Sequence, residues 1–357
     1  MITLAAAYLL FFVVIAGVVT WLAIAGPPEP KTGAAIQSPA APSPTAEESA
    51  GEPNPSVPID HQAAEPEEPS VESADANQPA EPKPVMPVRR DIESFDPELV
   101  ADSPDGKLPI VGPNGKTPWQ VYAAPFNPTD DGPRLAIVIE DLGLNKERTE
   151  AAINRLPPEV TLAFSAYAEN LQNWTDEARA TGHEVLLGLP MEPVSYPQDD
   201  PGPDALLTTL SPQQNVERLQ HVMGRVTGYV GLINAMGSKF TASTTALTPV
   251  MEDISHRGLV FVDSSATRLS VAAKIARGLD VPRAINNRYV DNDITADAID
   301  AQLKELENVA QGYGAAVGIA RSYPISIERL EAWIPTLKDK GILIAPITAV
   351  VNRQPIR

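Results

Sequence analysis

The sequence predicts an α/β domain in which about seven parallel strands, each followed by a helix, form a (β/α) barrel. Short runs of mostly Val, Ile and Leu recur in the second half of the chain, and such runs are typical of strands buried on both faces. Amphipathic stretches separate them, and this alternation favours parallel strands joined by right-handed crossovers. The apolar runs are 135–139, 160–164, 184–189, 231–236, 259–263, 315–319 and 342–347.

Helices are expected between these strands, at 146–156, 170–180, 212–225, 246–257, 296–311 and 327–338. Gly182, Gly258 and Gly341 follow the ends of three of them, where glycine commonly terminates a helix. About seven strand–helix units in roughly 220 residues favour a closed barrel over an open sheet. We therefore assign the domain to residues 134–352.

The N-terminal segment 2–25 contains no charged residue. It is long enough to cross a bilayer as a helix, which needs about 20 apolar residues, so we expect a transmembrane anchor. A cleaved signal peptide is the alternative, because Ala23, Ile24 and Ala25 resemble a cleavage site. The length of the apolar run and the lack of a preceding Lys or Arg favour the anchor.

The composition changes twice between this segment and the domain. Residues 26–88 are rich in Pro, Ala and Glu, with 15 prolines, 11 acidic residues, two lysines and no aromatic residue. Such a segment cannot bury enough apolar surface to offset its ordering entropy, so we expect a disordered, extended linker. Residues 89–133 include Trp119, Tyr122 and Phe126, and we expect them to form a strap that packs on the domain.

The charge and the lack of cysteine exclude several classes of protein. The 357 residues carry a net charge of -19, which argues against nucleic-acid binding because neutralising phosphates requires clustered Lys and Arg. The chain has no cysteine, so disulfides and Cys-based zinc sites are excluded.

An apolar anchor followed by a long acidic linker indicates a single-pass inner-membrane protein whose domain faces the periplasm.

Polar residues follow several predicted strands, at the end of the sheet where parallel barrels carry their chemistry. Two adjacent carboxylates at the end of the first strand are costly to place together unless they are used. Capping of backbone N–H groups is the simpler explanation for any single residue such as Asp263. Together the strand ends predict a polar cleft formed by Glu140, Asp141, Glu192, Asn234, Lys239, Asp263 and Arg321.

Several motifs, in this order along the chain, resemble the divergent polysaccharide deacetylase family. The first four are AIVIEDLG at 136–143, LPPEVTLAF at 156–164, GHEVLL at 182–187 and LPMEP at 189–193. The resemblance continues with DPGP at 200–203, MGSKFT at 236–241 and RGLVFVDS at 257–264. It covers about residues 134 to 350.

The resemblance implies a distorted (β/α) barrel that removes acetyl groups from N-acetylated sugars with a divalent metal. In that chemistry the metal polarises the amide carbonyl and activates a water, while a carboxylate acts as base. The family pattern places the base at Glu140 and a metal ligand at Asp141, with Glu140 one methylene longer than the family's Asp. The family's histidines correspond to Gly188, Ala235 and Arg321, and none of these can bind a metal.

The histidines that remain are His61, His183, His221 and His256, and none is expected at the strand ends. We therefore expect no metal cofactor, and Arg321 pairing with Asp141 or Glu140. The favoured hypothesis is a membrane-tethered envelope protein of carbohydrate metabolism that has a degenerate metal site and binds or organises envelope glycan or a peptidoglycan-associated partner. Candidate glycan contacts are Trp174, Lys239, Arg321 and Tyr323.

Two alternatives stay open. One is an active deacetylase that hydrolyses N-acetyl groups through a rewired carboxylate site. The other is a structural partner of another envelope protein that makes no glycan contact. Release of acetate would favour the first alternative, and cross-linking to one dominant protein would favour the second.

Overall fold

The structure, a computed structural model, describes residues 95–127 and 131–355. The chain divides into two compact units, 1–77 and 78–357, and every described residue belongs to the second. The predicted anchor at 2–25 and linker at 26–88 lie outside the described residues. Within the described ranges, no helix combines the length and the apolar character that crossing a membrane requires.

Residues 95–127 pack against the rest of the described unit. They contain an antiparallel hairpin of β1 (Val100–Ser103) and β2 (Gly106–Pro109), followed by the short helix α1 (Pro118–Val121). The Tyr122 ring is buried, and the backbone N–H of Ala124 donates to Glu184 Oε1 at 2.9 Å. The aromatic residue after α1 therefore anchors this segment.

Parallel strands form the main sheet. They are β3 (Arg134–Leu142), β4 (Thr161–Ser165), β5 (Val185–Met191), β6 (Gly231–Met236), β7 (Val260–Asp263), β8 (Arg283–Ile285), β9 (Arg288–Tyr289), β10 (Ala315–Arg321) and β11 (Leu343–Ile344). Their order is β8-β7-β6-β5-β4-β3-β10-β9, and β11 adds to the start of β3. This arrangement fits the distorted (β/α) barrel expected from the sequence.

The barrel is closed by one stretch of chain that touches both edges of the sheet. β8 pairs with β7, and β9 pairs with β10, although only Asn286 and Asn287 separate β8 from β9. The backbone N–H of Asn286 donates to Asp263 O at 2.8 Å, and that of Asn287 donates to Val317 O at 2.9 Å. Residues 283–289 therefore act as a single closing strand.

The closing strand corrects the predicted strand list. The seventh predicted strand, 342–347, forms only the two-residue β11 and leads into a 3-10 helix, Ile347–Val350. The closing strand was missed because it is not an apolar run: it carries two arginines and two asparagines. Its polar character fits a strand that helices cover only in part.

Helices cover most of the outer face of the sheet. They are α2 (Lys146–Arg155), α3 (Leu171–Ala180), α4 (Pro212–Met223), α5 (Thr244–His256), α6 (Ala272–Gly278), α7 (Ala296–Tyr313) and α8 (Pro324–Trp333). All except α6 were predicted within a few residues. The last predicted helix starts earlier than expected and passes into a 3-10 helix, Ile334–Lys340. The α6 helix was missed because it spans only seven residues.

Alternate residues of each strand pack into two separate cores. The inner core contains Ala136, Val138, Ala163, Leu186, Ile233, Val262, Val317 and Ile319. The outer core, beneath the helices, contains Ile137, Ile139, Leu162, Leu187, Leu232 and Phe261. Because successive side chains of a strand point to opposite faces, this register decides which strand-end residues face the barrel interior.

Candidate functional site

Four strand-end positions continue the inner core toward the carboxyl end of the barrel. Glu140, Gly188, Ala235 and Arg321 each follow an inner-core residue of the same strand by two positions. Tyr289 of the closing strand also packs against the inner core. We call these five residues the barrel mouth. The three positions that correspond to the family's histidines all belong to it.

The end of β3 presents its two carboxylates differently because the strand contains a β-bulge. Ile139 pairs with Leu162 and Leu142 with Phe164, so β3 advances three residues over the length in which β4 advances two. Asp141 lies in this bulge with a φ of 61° and is exposed, whereas Glu140 is half-buried. Bulges commonly re-aim a side chain near a functional site. Glu140 therefore faces the mouth, and Asp141 lies at its edge.

Arg321 is the cation at the mouth, and two carboxylates surround it. It lies opposite Glu140 in the β3–β10 register, and its Nε is 3.8 Å from Glu140 Oε1. Its Nη1 is 3.3 Å from Asp291 Oδ1, and its backbone N–H donates to Asp291 Oδ2 at 2.6 Å. The predicted pairing of Arg321 with Asp141 or Glu140 thus involves Glu140, and Asp291 is a second partner.

Asp291 is the residue of this site that the sequence analysis missed. Its side chain is fully buried, and Ser326 Oγ donates to its Oδ2 at 2.8 Å. It follows the unpredicted β9 by two residues, so no strand end drew attention to it. The Asp291–Asn292–Asp293 sequence is polar and by itself indicates only a loop. If residues 283–289 had been predicted as a strand, Asp291 would have stood just beyond its carboxyl end and would have been a candidate.

The electrostatics of the mouth favour protonated carboxyl groups. Burial, followed by repulsion from Asp141, raises the pKa of Glu140 from 4.5 to about 8, although Arg321 opposes this. Loss of hydration at the strand end also raises the pKa of Asp141, and burial raises that of Asp291, whereas Arg321 again acts in the opposite direction. Glu140 is therefore largely neutral near pH 7 and can donate a hydrogen bond.

Glu192 and Lys239 form a structural tie beside the mouth. Lys239 Nζ donates to Glu192 Oε1 at 2.7 Å, and both the backbone N–H and the hydroxyl of Thr208 donate to Glu192 Oε2 at 2.6 Å. The Glu192 side chain is buried, whereas Lys239 is half exposed. The carboxylate thus links three loops, and its hydrogen-bonding capacity is used within the fold.

Asn234 and Asp263 lie on the outer face of the sheet, in the register of Leu232 and Phe261. The Asn234 side-chain amide donates to Ser264 Oγ at 2.7 Å and accepts from the Ser264 backbone N–H at 2.8 Å. Asp263 accepts from the backbone N–H of Ser265 at 2.9 Å, and burial raises its pKa. Both residues stabilise the turn after β7 and do not face the barrel interior.

The remaining candidate contacts are Trp174 and Tyr323, and Tyr323 follows the mouth residue Arg321 by two positions. Trp174 on α3 packs against the outer core, and Arg148 lies over the Tyr323 ring at 5.4 Å. His183 is buried at the amino end of β5, where its ring nitrogens lie 2.7 Å from Val160 O and 3.1 Å from Ile153 O. Burial lowers the pKa of His183, which indicates a neutral packing residue.

The divalent metal that the resemblance implies does not fit the residues of the mouth. Gly188 and Ala235 offer no side-chain donor, and Arg321 places a fixed cation where a ligand would be needed. Glu140 is already in contact with that guanidinium. Within residues 95–127 and 131–355, no three His, Cys, Asp or Glu side chains are arranged to hold a metal ion. We therefore derive no step through a metal.

Comparisons with known proteins agree with the motifs. The family model described as divergent polysaccharide deacetylase matches residues 137–351. An uncharacterized protein of Haemophilus influenzae is 30% identical over 206 residues, which is 58% of this chain and 72% of that protein. The uncharacterized protein YibQ of Escherichia coli K12 is 25% identical over 59% of this chain and 65% of its own length.

A solved structure supports the same relationship. The crystal structure of uncharacterized protein ATU2773 from Agrobacterium tumefaciens C58 is 39% identical, with a TM-score of 0.67. The match covers 69% of this chain and 100% of that chain. The family model covers more than half of the residues, and its limits agree with the barrel from β3 to the 3-10 helix after β11. The chain belongs to the divergent polysaccharide deacetylase family.

Proposed function

We propose that this protein is a membrane-tethered member of the family that acts in the metabolism of envelope glycan with a degenerate metal site. It binds or organises glycan, or a peptidoglycan-associated partner, instead of hydrolysing it. The observation that carries this proposal is the contact of Arg321 with Glu140 and Asp291 at the barrel mouth. A guanidinium held between the carboxyl groups of Glu140 and Asp291 occupies the electrostatic position that a metal would need.

The charge at the mouth argues against a metal more strongly than the missing histidines do. Divalent cations bind carboxylate-rich sites because they offset the repulsion between the carboxylates. Here Arg321 already places a cation beside Asp291, and burial keeps Glu140 largely protonated near pH 7, so little repulsion remains for a metal to relieve. A metal would have to displace the arginine and also ionise a carboxyl group whose pKa is about 8.

The mouth nevertheless retains groups that suit sugar hydroxyls and amides. Asp141 is exposed and accepts hydrogen bonds, a protonated Glu140 donates one, and the Arg321 side chain is 32% exposed. The half-buried Tyr289 ring contributes an aromatic surface, with Arg321 above it at 5.5 Å. Carbohydrate binding commonly combines such polar groups with one aromatic face. These features support a glycan-binding cleft.

The location of the domain is a separate part of the proposal. It rests on the uncharged segment 2–25, long enough for a membrane anchor, and on the acidic, proline-rich linker 26–88. An extended linker of this kind would let a domain reach glycan at some distance from the inner membrane. We therefore place the domain in the periplasm.

An active deacetylase with a rewired carboxylate site is the second candidate. The specific observation in its favour is the adjacent pair Glu140 and Asp141, because a buried carboxyl group with a pKa of about 8 beside an exposed one could divide acid and base roles. Two carboxyl groups with separated environments are a frequent acid–base arrangement.

The two candidates are separated by measuring acetate release and glycan retention on the same samples. The full-length protein in an uncharged detergent is incubated with N-acetylglucosamine oligomers and peptidoglycan fragments, with and without added zinc. We expect glycan retention without acetate release. Arg321→Gln should weaken retention, whereas Arg225→Gln, which removes an exposed cation elsewhere, should not.

Asp141→Asn is the matched variant for the enzyme candidate. Asparagine tolerates the positive φ of this position, so the variant should fold, and it removes only the charge. Acetate release by the wild type that Asp141→Asn abolishes at unchanged stability would replace the proposal with the active deacetylase. Absence of both acetate release and glycan retention would instead favour a purely structural partner.

A further inference from the structure

A groove runs along the closing strand. The α6 helix spans only seven residues, and the chain passes from β8 to β9 without a helix. Among the helices, residues 283–289 therefore contact mainly the short α6 and part of α7, which leaves space beside the strand. A cavity of about 510 Å³ lies there, with α6 on one side and the end of α7 on the other.

A second cavity of about 280 Å³ continues the first. The two share Ser265, Asn286, Asn287 and Arg288 as lining residues, so Arg288 lies between them. We call the two together the closing-strand groove. The first cavity has the size of a typical small-ligand site, which is roughly 300 to 1,000 Å³.

The groove is cationic, although the chain as a whole carries a charge of -19. Residues 264–290 contain five basic residues and one acidic residue. Arg268, Lys274 and Arg288 line the first cavity. In the described parts of the chain, none of these three forms an ion pair with a carboxylate, and the Arg288 guanidinium donates to the backbone oxygen of Asn287 at 2.8 Å.

The acidic group in the first cavity does not neutralise these cations. Asp263 lines it, but Ser270 Oγ donates to one carboxylate oxygen at 2.7 Å and the Ser265 backbone N–H donates to the other at 2.9 Å. Asp293 lines the second cavity, but in the described residues it forms no ion pair with Arg268, Lys274 or Arg288. Positive charge therefore exceeds negative charge in the first cavity, where three cations meet one carboxyl group.

Clustered like charges repel one another, and a concave wall concentrates their field on whatever enters it. Hydroxyl and amide groups from Ser265, Thr267 and Asn286 add neutral hydrogen-bonding groups to the same wall. The Tyr313 side chain, 59% exposed, and Val309 provide an apolar edge. This combination suits a ligand with an anionic group attached to a less polar body.

We propose that the closing-strand groove binds a ligand bearing a carboxylate or phosphate group, with the anion placed among Arg268, Lys274 and Arg288. The proposed anion site lies in the first cavity, which no residue of the barrel mouth lines; Tyr289, a residue of the mouth, lines only the second cavity. The proposal does not depend on glycan binding at the mouth. Guanidinium and ammonium groups form charge-assisted hydrogen bonds with both kinds of anion, so the shared chemistry is an oxyanion with several acceptor atoms.

The test is calorimetric titration of the full-length protein, in an uncharged detergent and at low salt. The probes are inorganic pyrophosphate, digalacturonate as a carboxylate sugar, and neutral diacetylchitobiose. We expect at least one anionic probe to bind. The double variant Arg268→Gln/Lys274→Gln should weaken that binding by roughly tenfold, because it removes two charged donors from a partly exposed site. Whichever anion binds more tightly identifies the chemical source.

The matched control is Arg225→Gln/Lys338→Gln, which removes the same net charge from exposed positions outside the groove. It should change the affinity by less than about twofold. Equal weakening by both double variants would mean that only the overall charge matters, and the proposal would be wrong. Lack of binding by both anionic probes would also refute it. The result for diacetylchitobiose reports on the barrel mouth and leaves this proposal unaffected.

Discussion

The barrel mouth predicts a pH dependence of stability that Glu140→Gln should remove. Burial beside Asp141 raises the pKa of Glu140 from 4.5 to about 8, so between these pH values the folded state holds a proton that the unfolded state has released. More protons bound to the folded state mean that stability falls as pH rises. The contribution of Glu140 is fully present below about pH 4.5 and is lost as pH rises through about 8.

The size of the effect follows from the distance between the two pKa values. Between pH 5 and pH 8, a pKa shift from 4.5 to about 8 lowers the free energy of unfolding by about 3.5 kcal/mol. Because the Glu140 side chain is 14% exposed, solvent screening reduces this change to about 2 to 3 kcal/mol. Glutamine cannot ionise. We therefore expect Glu140→Gln to match the wild type at pH 5 and to exceed its stability by about 2 to 3 kcal/mol at pH 8.

The assay is urea unfolding of the full-length protein followed by tryptophan fluorescence at pH 5, 6.5 and 8. Glu252→Gln, which removes an exposed carboxylate on α5, is the control for the loss of one charge and should keep the wild-type slope. A variant that is less stable than the wild type at pH 8 would refute the reasoning. Such a result would mean that Glu140 is ionised and stabilises Arg321 as a charged partner.

The remaining predictions concern metal, topology and two carboxylates. Purified residues 89–357 should hold no stoichiometric zinc, and one tightly bound zinc per chain by elemental analysis would contradict this. A reporter fused after Arg357 should be active only outside the cytoplasm; a cytoplasmic signal rejects the orientation, and a soluble form that begins near residue 26 rejects the anchor. Glu192→Ala should cost about 2 kcal/mol in urea unfolding, because it removes the acceptor of the two half-buried Thr208 donors. Asp141→Ala should lower stability by about 1 kcal/mol, because alanine tolerates a φ of 61° less well than aspartate, and a melting curve beside an acetate-release assay checks this.

Most of the barrel could be predicted from the sequence because its strands are buried on both faces. A strand between two cores must be apolar at every position, as β5 is, and such a run is visible without a structure. The closing strand lacks this signal because it lines a polar groove. Its residues Arg283, Asn286 and Arg288 read as a loop in the sequence. Asp291, placed by that strand, was lost with it.

The candidate site was predicted at the correct end of the strands but without the register. All polar strand-end residues were expected to line one cleft, although adjacent positions of one strand face opposite sides of the sheet. Positions two residues beyond an inner-core residue face the mouth, as Glu140 and Arg321 do. Positions two residues beyond an outer-core residue face the helices, as Asn234 and Asp263 do. The Glu192–Lys239 tie could not be separated in this way because both residues lie in loops beyond the strands.

The arginine at the mouth explains why the histidine positions cannot be considered one at a time. Replacing Arg321 alone by histidine would supply one donor and would leave the buried Asp291 without its cation. Histidines introduced at positions 188 and 235 alone would face the Arg321 guanidinium, which repels a metal ion. A Cβ at Gly188 would also lie 3.2 Å from the Phe164 carbonyl oxygen, so β4 would have to move slightly. A metal site therefore requires simultaneous changes on three strands, and no single change creates a ligand set. This coupling makes the Arg321–Asp291 pair, more than the missing histidines, the feature that holds the mouth in its present state.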